Sequence, residues 1–160
     1  MKVLTVYYTR SGNTESVVKR IQESLGGDIE LISEPTSRKG MLGWLRSGGE
    51  NSRRTVAEIN PPKFNPVDYD LVILASPIWA GVVSAPMRGY MVGYKDKLER
   101  TAVFLSNDSG DVEKALAEIY ELLGKAPLVE GSLQRSKIST EFESTLSVFI
   151  EKINALESSM

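Results

Sequence analysis

Val3-Leu4-Thr5-Val6-Tyr7-Tyr8, followed at once by Thr9-Arg10-Ser11-Gly12-Asn13-Thr14, is the stretch that decides the fold of this chain. A β-rich run stops in a polar loop with three hydroxyls, an amide and a glycine. Val17, Val18, Ile21 and Leu25 then recur at the spacing of one helix face. A strand feeding a helix through such a loop aims several backbone N–H groups, and the positive end of the helix, at one point. A phosphate is the natural occupant of that point. Gly12 permits a positive φ or a close backbone approach. The spacing is neither that of a Walker loop nor G-x-G-x-x-G. From these residues alone, the loop reads either as a phosphate cradle or as a polar turn with Asn13 or Ser11 capping the helix.

Working outward, Gly26-Gly27 stops the first helix. Asp28-Ile29-Glu30-Leu31-Ile32 then alternates polar and apolar, which predicts a strand with one exposed face. Leu71 to Ala75 and Ala102 to Leu105 are nearly continuous apolar runs, as suits central parallel strands covered on both faces. A weaker fifth strand is expected around Leu128 to Leu133. Helical patterns alternate with these runs. One starts near Pro86 and carries Met87, Tyr90, Met91, Tyr94 and Leu98, a second spans Asp111 to Leu123, and a third holds Phe142, Leu146, Phe149, Ile150 and Ile153. Alternation of this kind predicts an α/β fold with a doubly wound, five-stranded parallel sheet in three α/β/α layers. In such sheets a ligand lies outside the carboxyl ends of the strands.

At 160 residues the chain is expected to form a single domain, residues 1–160. It has 41% hydrophobic and 25% charged residues, ordinary values for a globular protein. No run suits a membrane span and no signal peptide precedes the first strand, so a cytoplasmic location is expected. The chain has no cysteine and no histidine. That removes thiol chemistry and thiolate metal sites, and with histidine go the commonest general base and metal ligand. Redox or transfer chemistry would have to come from a bound cofactor. A formal net charge of −2 argues against nucleic acid as a partner.

Thr9-x-Ser11-Gly12-Asn13-Thr14, placed directly after an apolar first strand, resembles the FMN-phosphate loop of the flavodoxin family, [ST]-x-[ST]-G-x-T. Two later strand ends extend the likeness. Ser76-Pro77-Ile78-Trp79-Ala80-Gly81 resembles the family's first isoalloxazine loop, and with Met87-Arg88-x-Tyr90 it is also similar to flavodoxin-like quinone reductases. Ser106-Asn107-Asp108-Ser109-Gly110 stands where a second ring-edge loop belongs, but it lacks the tyrosine that many flavodoxins place there. The resemblance implies strand order 2-1-3-4-5 and non-covalent FMN, with no catalytic side chain and no metal site. Its contacts would come from Thr9, Arg10, Ser11, Gly12, Asn13 and Thr14, from the 76–81 stretch, and from Ser106, Asn107, Asp108 and Gly110. It also implies a low-potential electron carrier working between redox partner proteins. An FMN-dependent NAD(P)H or quinone oxidoreductase stands as the alternative. A receiver-like module is set aside, because Tyr7-Tyr8-Thr9-Arg10 holds no acidic cluster.

Glu34 to Pro66 lies outside the likeness. It is long for a connection and rich in Gly, Ser and Pro. Met41, Leu42, Trp44 and Leu45 predict a short helix ended by Gly48-Gly49. Six basic residues oppose three acidic ones here, whereas the rest of the chain has thirteen basic against eighteen acidic. The segment reads either as a solvated crossover or as a basic surface folded beside the flavin and facing a phosphate-bearing or acidic partner.

Overall fold

The five parallel strands and the helices between them follow the predicted alternation. The computed structural model describes residues 1–36, 40–108 and 111–158. Arg38, Lys39, Ser109 and Gly110 therefore lie outside the described residues. The elements are β1 (Val3–Tyr7), α1 (Asn13–Leu25), β2 (Asp28–Leu31), α2 (Gly40–Ser52), β3 (Leu71–Trp79), β4 (Val82–Val83), α3 (Ala85–Tyr94), β5 (Thr101–Asn107), α4 (Val112–Leu123), β6 (Val129–Gln134) and α5 (Ile138–Ser158). The sheet order is β2-β1-β3-β5-β6, with β4 attached only to β3. Counting the parallel strands alone, this is the expected 2-1-3-4-5 order. The addition is β4, a two-residue antiparallel strand.

Side chains of the central strands alternate between two apolar layers. Leu4, Val6, Val72, Leu74, Val103 and Leu105 pack with Met87, Tyr90 and Met91 of α3 and with Ala115 and Ile119 of α4. Val3, Leu71, Ile73, Ala102 and Phe104 pack with Val17 and Ile21 of α1 and with Phe149, Ile150 and Ile153 of α5. Burial on both faces explains why these strands read as unbroken apolar runs.

The structure corrects three local expectations. In β2 the alternation is inverted: Glu30 is buried and Leu31 is 48% exposed. Glu30 Oε2 accepts from the backbone N–H groups of Lys63 and Phe64 at 2.7 and 3.1 Å, so this carboxylate fastens the crossover to the sheet edge. A buried charge persists where its hydrogen bonds are met. Nearby, Tyr69 Oη donates to Asp28 at 2.7 Å. Burial and that carboxylate push the phenol up to about 12.

The α2 helix runs through Gly48-Gly49 instead of stopping there. An Arg46–Glu50 ion pair at 2.6 Å, one helical turn apart, spans both glycines. The helix ends at Ser52, and the turn that follows takes Arg54 to a φ of 51°.

The third correction is at Ser76–Gly81, where much of the expected loop is strand. β3 continues to Trp79 and turns back through Ala80 and Gly81, with φ values of 52° and 77°. Two successive positive φ values between paired strand residues (Ile78↔Val83, Trp79↔Val82) make a two-residue hairpin turn of the type that matches strand twist. Pro77 fits this strand because it lies past Ala75, whose partner Tyr7 is the last residue of β1.

Candidate functional site

The carboxyl ends of four parallel strands meet at a cleft enclosing about 110 Å³. It is lined from β1 and α1 by Thr9, Arg10, Ser11, Asn13, Thr14 and Val17, and from β3 by Pro77, Ile78 and Trp79. Ser106, Asn107 and Asp108 line it from β5, and Leu133, Arg135 and Ile138 from β6 and α5. The three stretches singled out in the sequence thus converge on one place.

At the Thr9–Thr14 end, Gly12 occupies the position before the helix with φ 91°, and no side chain caps α1. Neither Asn13 nor Ser11 is the cap. Thr9 Oγ1 accepts from Gly12 N–H at 2.9 Å and fixes the curve of the loop. Ser16 N–H reaches back to the Gly12 carbonyl at 3.1 Å, so the N–H groups just before it remain at the open end of the helix. Thr14 is buried, and its hydroxyl shares a 2.8 Å hydrogen bond with the Ser106 hydroxyl. If Ser106 donates, the Thr14 proton is left to point into the cleft. Among the described residues, the Ser11 hydroxyl has no protein partner.

The opposite wall is flatter and more apolar. Trp79 meets Tyr8 edge-on, with centroids 5.5 Å apart and planes at 89°. The Arg10 guanidinium lies over the Trp79 ring at 5.5 Å. Arg135 faces Asp108 at 3.7 Å across the mouth, both side chains being largely exposed. Among the described lining residues, two arginines thus stand against one carboxylate.

Several expected residues lie outside the lining. Ser76 is buried beneath the hairpin, with its hydroxyl 3.0 Å from that of Ser84. Ala80 and Gly81 form the hairpin tip, where a Cβ on Gly81 would lie 3.4 Å from the Lys114 side chain of α4. Gly12 shapes its loop without lining the cleft. No described residue of the basic 34–66 segment lines it either. Val17, Leu133, Arg135 and Ile138 were not foreseen from the sequence. For the last three, the available signal was the rule that ligands gather at the carboxyl ends of the strands, applied to the fifth strand as well.

No protein-family model and no curated relative matches the chain. Solved structures do. A flavoprotein from Lactobacillus acidophilus NCFM, crystallised in complex with FMN, is 18% identical with TM-score 0.71, over 86% of this chain and 96% of that one. A WrbA-like flavodoxin protein from Agrobacterium tumefaciens is 14% identical with TM-score 0.67, over 98% of each chain. A flavodoxin from the domain Archaea is 17% identical with TM-score 0.58, over 98% of this chain and 99% of that one. The chain has the flavodoxin-like α/β fold. No helix among the described residues is long and apolar enough to cross a membrane.

Proposed function

We propose that this chain is one flavodoxin-like domain that binds FMN in the cleft and transfers electrons through it. The observation that carries this reading is the open end of α1. No side chain caps it, hydroxyls surround it, and it faces the same cleft as the flat Trp79 wall. That donor set suits a phosphate: backbone N–H groups and the helix dipole supply attraction, and Ser11 and Thr14 add neutral hydrogen bonds. Ile78–Trp79 and Asn107–Asp108 both line the cleft, so a planar ring would lie between them with Trp79 as its aromatic neighbour. The Lactobacillus neighbour, solved with FMN, supports the choice of ligand.

FMN supplies a ring that accepts and releases electrons. The protein's part is to anchor the phosphate, fix the ring and shield it from water. The reading proposed first is an electron carrier between redox proteins. A specific observation keeps a second reading alive, that of an NAD(P)H or quinone reductase. Arg10 and Arg135 outnumber the single lining carboxylate, which favours an anionic donor at the cleft.

Anaerobic reduction of the flavin-loaded protein, with and without NADPH, tests both readings. The expected result is FMN on extraction, photochemical reduction in one-electron steps, and slow reduction by NADPH. Rapid stoichiometric reduction by NADPH would select the reductase. Protein that stays colourless in micromolar FMN would refute the flavin reading.

A further inference from the structure

Beneath the hairpin lies an ion pair that the cleft does not use directly. Arg88 of α3 and Glu118 of α4 are 2% and 3% exposed, with Nε and Oε1 2.8 Å apart. Among the described residues, their remaining side-chain hydrogen bonds all go to backbone. Arg88 Nη1 donates to the Thr55 carbonyl at 2.7 Å and Nη2 to the Val83 carbonyl at 3.0 Å. Glu118 Oε2 accepts from Val83 N–H at 2.9 Å. Val83 is thus held on both its N–H and its C=O, and in β4 it is the register partner of Ile78, next to Trp79.

We infer that Arg88 and Glu118 are positioning residues that set how far the Trp79 hairpin stands from Asn107 and Asp108 at the end of β5, and so the width of the slot for the flavin ring. This rests on the FMN reading. A buried ion pair is weak evidence for stability, because apolar residues of similar volume often serve as well. What it supplies here is direction. Glu118 belongs to α4, whose first turn is capped by Asp111 through a 3.0 Å bond to Lys114 N–H. That helix continues the chain just after Asn107 and Asp108, on the other wall. Through Val83 the same pair grips the strand that carries Ile78 and Trp79. One ion pair therefore joins both walls, and its Thr55 contact ties the end of the crossover to them.

The test compares E118Q and the double variant R88M/E118M with the parent, each loaded with FMN and, separately, with riboflavin. E118Q sets the new amide N–H against a buried N–H donor and leaves Arg88 without an opposite charge, whereas the double variant removes the pair without leaving a lone charge. Both are expected to raise the dissociation constants of FMN and riboflavin by one common factor, on the order of tenfold, as loss of an outer supporting group does elsewhere. The visible circular dichroism of the bound flavin should weaken in both variants. A folded double variant with parental affinities and dichroism overturns the inference. So does a loss confined to FMN, which would place the effect on the phosphate end. Unfolding of both variants overturns it too, by making the pair a stability element. A parent protein that binds no flavin would sink the FMN reading alone. The hairpin is then decided in the free protein by acrylamide quenching of Trp79 emission in a W44F background. Both variants should raise quenching about twofold, on the premise that a slackened support admits more water; parental quenching overturns the inference.

Discussion

The Thr9–Thr14 loop and the Trp79 hairpin face one cleft and are held in opposite ways. The loop keeps its shape with little: the Thr9 hydroxyl on Gly12 N–H and the Thr14–Ser106 pair. It leaves the first N–H groups of α1 without a side-chain cap. The hairpin has its polar groups engaged inward, with Ser76 on Ser84 and Val83 on both Arg88 and Glu118. The contrast follows from what each wall offers. A wall that binds an anion through N–H groups must leave those donors unspent. A wall that binds through the flat face of a side chain can commit all of its backbone to rigidity.

The largest expected effect strikes the rigid wall. Arg88→Ala would leave Glu118 buried at 3% exposure with no opposite charge. Breaking a buried pair from one side costs about 3–5 kcal/mol. Urea denaturation should register this as a lower midpoint. A loss under 1 kcal/mol would mean that water enters to solvate Glu118, and that the hairpin is less firmly held than its geometry implies.

A smaller effect is expected at the open wall, and it should discriminate between ligands. Thr14→Ala removes a buried hydroxyl that bonds Ser106 and lines the cleft. FMN binding should weaken by about 1–3 kcal/mol, close to the range of about 1.5–3 kcal/mol for hydrogen bonds to a charged group. Riboflavin, which lacks the phosphate, should bind variant and parent alike. Equal losses for both flavins, followed by fluorescence titration, would show that Thr14 supports the ring instead of reading the phosphate, and the contrast between the walls would dissolve.

The two walls also differed in how plainly the sequence announced them. Thr9 to Thr14 is a contiguous pattern whose chemistry is local, so strand, loop and helix could be read from adjacent residues. The central strands were equally plain, because burial on both faces leaves an apolar run. The hairpin was missed, since Ser76-Pro77 looks like the start of a loop and its real punctuation, Ala80-Gly81, puts a non-glycine residue at φ 52°. Its fastening was beyond local reading, because Arg88 and Glu118 are 30 residues apart and meet only when α3 and α4 pack side by side. Glu30 misled for a related reason. Alternation shows which residues share a face, but here the face bearing a carboxylate is covered by backbone from Lys63 and Phe64. The 34–66 segment is a crossover whose charge suggested proximity to the flavin, yet the cations at the cleft are Arg10 and Arg135.

The smallest expected effect asks whether the turn or the buried pair fixes the hairpin. Ala80 holds a left-handed conformation at φ 52°. That conformation costs an L-residue about 1–2 kcal/mol. Ala80→Gly would release this strain, but glycine loses more conformational freedom on folding, a cost of roughly 0.5–1 kcal/mol. The two terms nearly cancel, so a gain of about 0.5 kcal/mol is expected, or a rise in Tm of roughly 1–2 °C for a chain of this size. Flavin affinity should stay within about twofold of the parent, because the Ser76–Ser84 and Val83 contacts remain to hold the strands. Differential scanning fluorimetry and fluorescence titration measure the two quantities. An affinity loss near tenfold with stability intact would mean that the strained turn aims Trp79, and that the ion pair beneath it only bears its weight.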